Sequence, residues 1–325
     1  MKIQDLRELL KKADREHLEK AFAECYKQFS KSKKEEIDVL IGDVLSGEDS
    51  KKAGGRKPVD FEELKRQISL FVENANAQNY LVPNRSIPKN QRSKWRFLVM
   101  NFIKELEKIQ PESEFYEQSV QCLWDLYGVL CKGCNVYLFS SDDPFASVRW
   151  EQPKLFHLLV KKTFQNGYDR EKLKKAILLS STGGLSRTSL YVMNQLALLS
   201  ELKTSDVKYM AIEETKKLIE DGRSEPIKKN DYSASAYYRR EKNDNLCELV
   251  LLISISLAET DTGIRYFFSK CLETDKEIAL YRALDCASWM EDDQAWIDIY
   301  HYGLAKKIKP RDSLQEQYKE LISKK

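Results

Sequence analysis

An all-α fold, an irregular α-α superhelix or helical-repeat-like array, is predicted by three observations. Apolar residues recur at spacings of three and four through almost all of the 325 residues. Only 12 glycines and 8 prolines are present, few for the many turns of a β fold. Candidate helices follow one another about every twenty residues, so helical pairs recur at about forty, within the range of helical-hairpin repeats. No repeat consensus accompanies that spacing, and one short irregular or β segment near 134–150 stays open.

The elements follow in order. Leu6, Leu9, Leu10 and Ala13 form a first stripe. Asp14 is placed to cap a second helix, with the stripe Leu18, Phe22, Cys25, Tyr26 and Phe29. Ile37, Leu40, Ile41, Val44 and Leu45 form a third, which predicts a small three-helix unit over 1–45. Residues 46–59 contain three glycines and a proline with little to pack, and predict a flexible basic linker. The array is expected over 60–325. Phe61, Leu64, Ile68, Phe71, Val72 and Ala75 mark a long helix, and Pro83 and Pro88 make 80–91 a loop. Trp95 to Leu106 and Phe115 to Leu130 resume the helical spacing. The stretch 131–150 is least regular, and its run Val136-Tyr137-Leu138-Phe139 reads as a strand or a packed loop. Stripes return over 155–164, 173–179, 190–202 and 207–219. A polar loop near 222–230 precedes helices near 245–258, 262–272, 276–290, 294–304 and 313–322.

Two short echoes punctuate this order. Asp14–Ala21 and Asp169–Ala176 share six of eight residues, which reads as common helix-start chemistry rather than duplication. Glu259-Thr260-Asp261 and Glu273-Thr274-Asp275 mark two further helix starts.

The first residues interleave charge with apolar side chains and carry no signal-peptide stretch. The longest apolar run, Leu249 to Ala258, is about half the ~20 residues a membrane helix needs. Seven cysteines is an odd number, and several lie beside apolar residues, as in a reduced protein that uses Cys as a small hydrophobe. A cytoplasmic protein with no membrane partner is expected.

Charge is unevenly placed. The net charge is +3, yet 51–110 carries 13 basic against 6 acidic residues, and 111–150 carries 2 against 6. From Asn74 to Lys104 there is no acidic residue. Within that stretch Arg85, Lys89, Arg92, Lys94 and Arg96 lie in a loop and at a helix start, beside Trp95. Basic side chains with an aromatic suit a nucleic acid or another polyanion. The plainer alternative is a solvated loop whose arginines pair with the acidic 111–150 segment.

Other motifs carry weaker signals. Gly55-Arg56-Lys57-Pro58 resembles the core of an AT-hook, which implies minor-groove contact by Arg56 and Lys57, but lacks the Arg or Pro before the glycine. Cys131-Lys132-Gly133-Cys134 is a lone C-x-x-C without the second pair that zinc requires. Ser181 to Arg187 (STGGLSR) has an anion-cradle composition without the Walker lysine, and a turn with a Gly C-cap and a Ser N-cap explains it. Glu291-Asp292-Asp293 with Asp298 reads as a solvated helix start rather than a cation site. Tyr232 to Arg240 reads as a packed helix start. His17, His157 and His301 belong to no catalytic signature.

No catalytic residue, metal or cofactor is therefore expected. The leading expectation is a non-enzymatic scaffold that binds a protein partner along one face of its stacked helices. The alternative is nucleic-acid or other polyanion binding through 85–96.

Overall fold

The computed structural model describes residues 9–29, 34, 37, 38, 41, 60–82, 86–223, 231 and 233–323. The chain divides into two units, Met1–Asp60 and Phe61–Lys325. Every element among the described residues is a helix, so the all-α expectation is met.

In the first unit, α1 (Arg15–Lys27) begins where expected: the Asp14 carboxylate accepts the His17 N–H at 2.9 Å. None of the residues of α1 is buried: Leu18 and Tyr26 of its apolar stripe are half-buried, and Phe22 and Cys25 are exposed. Most of the third stripe and the whole 46–59 linker, including Arg56 and Lys57, lie outside the described residues.

The second unit is a helical array. It opens with α2 (Phe61–Asn76), the single turn α3 (Lys89–Arg92), α4 (Trp95–Glu107) and α5 (Tyr116–Asn135). The turn α6 (Pro144–Ser147) leads to α7 (Gln152–Phe164), α8 (Arg170–Thr182), α9 (Tyr191–Leu199) and α10 (Ser205–Arg223). Then come α11 (Ala234–Ser256), α12 (Thr260–Lys270), α13 (Lys276–Trp289), α14 (Asp293–Ala305) and α15 (Asp312–Ser323). Helices α2 and α4 pack on α5, α5 on α7, α7 and α8 on α9, and α9 on α11. The stack continues through α13 and α14 to α15.

Helix α11 is the hub, touching α8, α9, α10, α12 and α13. Its run Leu249 to Ile253 is buried, which is why that stretch is apolar on every side. It crosses α12 closely because Gly263 has no side chain: a Cβ there would lie 2.6 Å from the Ser254 Cβ.

Local chemistry sets the ends. Asp169 caps α8 through the Lys172 N–H at 2.9 Å, so the Asp14 and Asp169 echo is shared capping. The other echo splits. Glu259 occupies the cap position of α12 without a side-chain bond, whereas Asp275 itself caps α13. Among the described residues, five turns end on a non-glycine residue in left-handed geometry: Gln78, Arg149, Ala258, Glu291 and Lys307, at φ 54–62°. Each sits at the C′ position of a doubly bonded Schellman turn, as where Ala258 N–H meets Ile255 C=O and Glu259 N–H meets Ser254 C=O, both at 2.9 Å.

One open alternative resolves and two expectations shift. The run 136–139 forms no strand: Val136 and Tyr137 are exposed while Leu138 and Phe139 are buried, so it is a packed loop. Cys131 and Cys134 lie in the last turn of α5, not in the irregular segment. Helix α11 begins at Ala234 rather than near 245, because its first half is fixed by buried Asn243, Asp244 and Asn245 and shows no apolar stripe. Among the described residues, no helix is long and apolar enough to cross a membrane.

Candidate polyanion-binding site

The basic segment is locked to the array by aromatic stacking. Trp95, 4% exposed, lies on Phe139 with ring centroids 3.9 Å apart and planes 15° apart. Phe139 in turn stacks on Phe71 of α2 at 6.0 Å and touches Tyr80 at 5.9 Å. This stack anchors the loop after α5, so Ser140 and Ser141 face the turn into α4.

Between them lies a hollow of about 220 Å³. Lys89, Arg92 and Arg96 line it from one side, and Ser140, Ser141 and Ser147 from the other, with Trp95 between. The Arg92 Nε–H donates to the Ile87 carbonyl at 2.9 Å, fixing the start of this segment. The Arg96 guanidinium lies over the Phe97 ring at 4.9 Å. Neither Lys89 nor Arg96 has a carboxylate partner among the described residues, so three cations share a small space with hydroxyl groups.

Neighbouring carboxylates are turned elsewhere. Asp142 pairs with Arg187. Asp143 caps α6, its Oδ1 accepting the Ala146 N–H at 3.1 Å. Its Oδ2 accepts the Ser186 hydroxyl at 2.8 Å and the Arg187 N–H at 3.1 Å. The Asp143 carbonyl accepts from Ser141 and Ser147, each at 3.1 Å, and those two hydroxyls lie 2.8 Å apart. Asp143 thus orders two of the three serines through its carbonyl, while its carboxylate accepts neutral donors from α6 and from the loop after α8.

The five basic residues singled out in sequence divide. Lys89, Arg92 and Arg96 come together. Lys94 is exposed and does not line the hollow, and Arg85 lies outside the described residues. Ser140, Ser141, Ser147 and Asp143 were missed, although Asp143 followed by Pro144 is a legible helix start. Lys94 already has helical angles, and its carbonyl accepts the Phe97 N–H at 2.9 Å, so α4 follows directly on α3.

The remaining candidates resolve into packing. Burial, then Asp143, pushes the Cys134 thiol up to about 12, and burial pushes Cys131 higher still, so neither is poised as a thiolate. Among the described residues no group of three metal-ligating side chains converges. In the STGGLSR turn, Gly184 presses on the Cys131 carbonyl, where a Cβ would come within 2.0 Å. The Gln152 side chain bridges the Gly184 carbonyl at 2.8 Å and the Ser186 N–H at 2.7 Å. Gly183 ends α8 as expected, but Leu190, not a serine, precedes α9. Asp292 caps α14 and Asp298 accepts from Gln294, which leaves that acidic run no inward-facing cluster. His17, His157 and His301 pair with Asp14, Glu201 and Tyr318, each at 2.8 Å.

A second ionic cluster joins α11 to α13. Arg282 donates to Glu248 at 2.6 Å, Glu241 at 3.2 Å and the Asn245 side-chain oxygen at 2.9 Å. Burial pushes the Glu248 carboxyl up to about 7 against the pull of Arg282. Each charge here is paired or hydrogen-bonded, so the cluster holds two helices together.

No family model matches the chain, and neither a curated protein nor a solved structure is similar to it.

Proposed function

We propose that the protein binds a polyanion, a nucleic acid, at the hollow between α3, α4 and α6. One observation carries the reading: Lys89, Arg92 and Arg96 line the same 220 Å³ space as Ser140, Ser141 and Ser147. A phosphate group there meets positive charge together with neutral donors, whose bonds to an ionised oxygen are the strong kind.

Fluorescence anisotropy of the full chain with labelled nucleic acid at about 50 and 200 mM salt tests this. Micromolar binding that weakens with salt is expected, with loss in Lys89→Ala/Arg96→Ala and no change in Lys94→Ala. Arg92 is retained in the variant because it also holds the Ile87 carbonyl. Equal losses in Lys94→Ala and the double variant would replace the hollow by diffuse surface charge. No binding at low salt would end the reading.

A protein partner is the second reading, supported by the partly exposed stripe of α1, in which Phe22 is 54% exposed. Covalent crosslinks from α1 to a second polypeptide, lost in Phe22→Asp, are its expected signature.

A further inference from the structure

The hollow has a neighbour on the other side of α6. Ser147 lines the first, and the adjacent Ala146 lines a second, of about 530 Å³, together with Arg149, Trp150, Lys154, Ser186 and Thr188. Glu151 also borders it, but its carboxylate is paired with Lys154 at 2.7 Å. Arg149 has no ion-pair partner among the described residues.

The position of Arg149 is fixed by backbone geometry. It stands at φ 58°. Its N–H bonds the Ala146 carbonyl and the Trp150 N–H bonds the Phe145 carbonyl, both at 3.1 Å. Four other described residues share this geometry, so the strain marks no site by itself. What it does is hold an unpaired cation and a half-buried indole immediately after the ridge that separates the two hollows.

We infer that the two hollows are successive subsites for single-stranded nucleic acid, whose backbone crosses α6 with one phosphate at Lys89, Arg92 and Arg96 and another at Arg149. This rests on the polyanion reading of the first hollow. A helix with its side chains is about 10–12 Å across, the distance that a strand crossing α6 has to span. Trp150 lines the second hollow, and the Arg96 that lines the first lies over Phe97, which is 51% exposed. Aromatic faces beside backbone cations are the means by which proteins hold unpaired bases. A duplex keeps its bases stacked inside a stiff cylinder and offers neither hollow a free base.

The test is anisotropy of the full chain against a short labelled single strand, as DNA and as RNA, and against the matching duplex. Arg149→Gly removes the charge and relieves the left-handed geometry, so it keeps the fold. Trp150→Leu removes the aromatic face. Losing one phosphate contact on a single strand with a salt slope of about 0.7 gives about a fivefold weakening at 0.1 M salt. That loss is expected for single strands in Arg149→Gly, with a further loss in Trp150→Leu and weaker binding of duplex by the wild type. Unchanged single-strand binding in both variants, with loss in Lys89→Ala/Arg96→Ala, would overturn the second subsite and leave the polyanion reading standing. Tighter binding of duplex than of single strand would overturn the choice of ligand. No binding of any nucleic acid by the wild type would overturn both readings.

Discussion

The Ser186 hydroxyl donates to the Asp143 carboxylate at 2.8 Å across 43 residues of sequence, and this bond ties the loop after α8 to the cap of α6. One residue thereby touches both hollows: the Asp143 carbonyl holds Ser141 and Ser147 on one side of α6, and its carboxylate places Ser186 on the other. Asp143→Ala is expected to cost about 2–3 kcal/mol, from a lost cap and a stranded charge-assisted bond. A double-mutant cycle with Ser186→Ala, read by urea denaturation, is expected to give a coupling of about 1–2 kcal/mol. Additive losses would show that the two side chains act independently.

The Schellman turns predict a gain rather than a loss. Ala258 holds φ 59° without the freedom of glycine, so Ala258→Gly is expected to stabilise by about 0.5–1 kcal/mol. Five residues away, Gly263→Ala is expected to destabilise, because its Cβ would meet Ser254 at 2.6 Å. Thermal melts of the two variants should move in opposite directions.

Helices α11 and α13 carry a pH-dependent joint. Burial raises the Glu248 carboxyl from 4.5 to about 7, so the folded chain holds that proton more tightly than the unfolded chain. Its contribution is full below about pH 4.5 and is lost as pH rises through about 7, a change of up to about 3 kcal/mol. Glu248→Gln removes this slope. The variant is expected to look worst against the wild type near pH 5 and to close the gap by pH 8. A gap constant across that window would contradict the assignment.

Thiol reactivity should follow burial. Cys25 is exposed, Cys134 and Cys271 are half-buried, and Cys122, Cys131, Cys247 and Cys286 are buried. Burial pushes the Cys134 and Cys271 thiols up to about 12. Timed alkylation at pH 8 with mass-spectrometric readout is expected to label Cys25 first. The four buried thiols should react only after denaturation. Early labelling of Cys131 or Cys134 would revive a redox or metal role for the C-x-x-C.

Much of the array was legible because its helices are written at spacings of three and four, from Phe61, Leu64 and Ile68 in α2 to the buried run of α11. What escaped had physical reasons. Schellman turns ending on Gln78, Arg149 or Lys307 show no glycine to mark them. The first half of α11 is held by polar burial at Asn243, Asp244 and Asn245, which periodicity does not register. The C-x-x-C looked irregular because Gly133 interrupts the helical pattern. Yet α5 runs through Gly133, whose missing side chain lets Pro144 and Phe139 pack close. At the candidate site the cations were visible as a run without acids. Their serine partners were not, because Ser140, Ser141 and Ser147 reach them only through the stacking of Phe139 on Trp95.

The salt dependence of single-strand affinity tests the central claim most directly, because it counts the phosphates engaged. With one phosphate held by Lys89, Arg92 and Arg96 and another by Arg149, the slope of log K on log salt is expected to be about −1.4, falling toward about −0.7 in Lys89→Ala/Arg96→Ala. A slope near zero, or one that the double variant leaves unchanged, would contradict binding at this hollow.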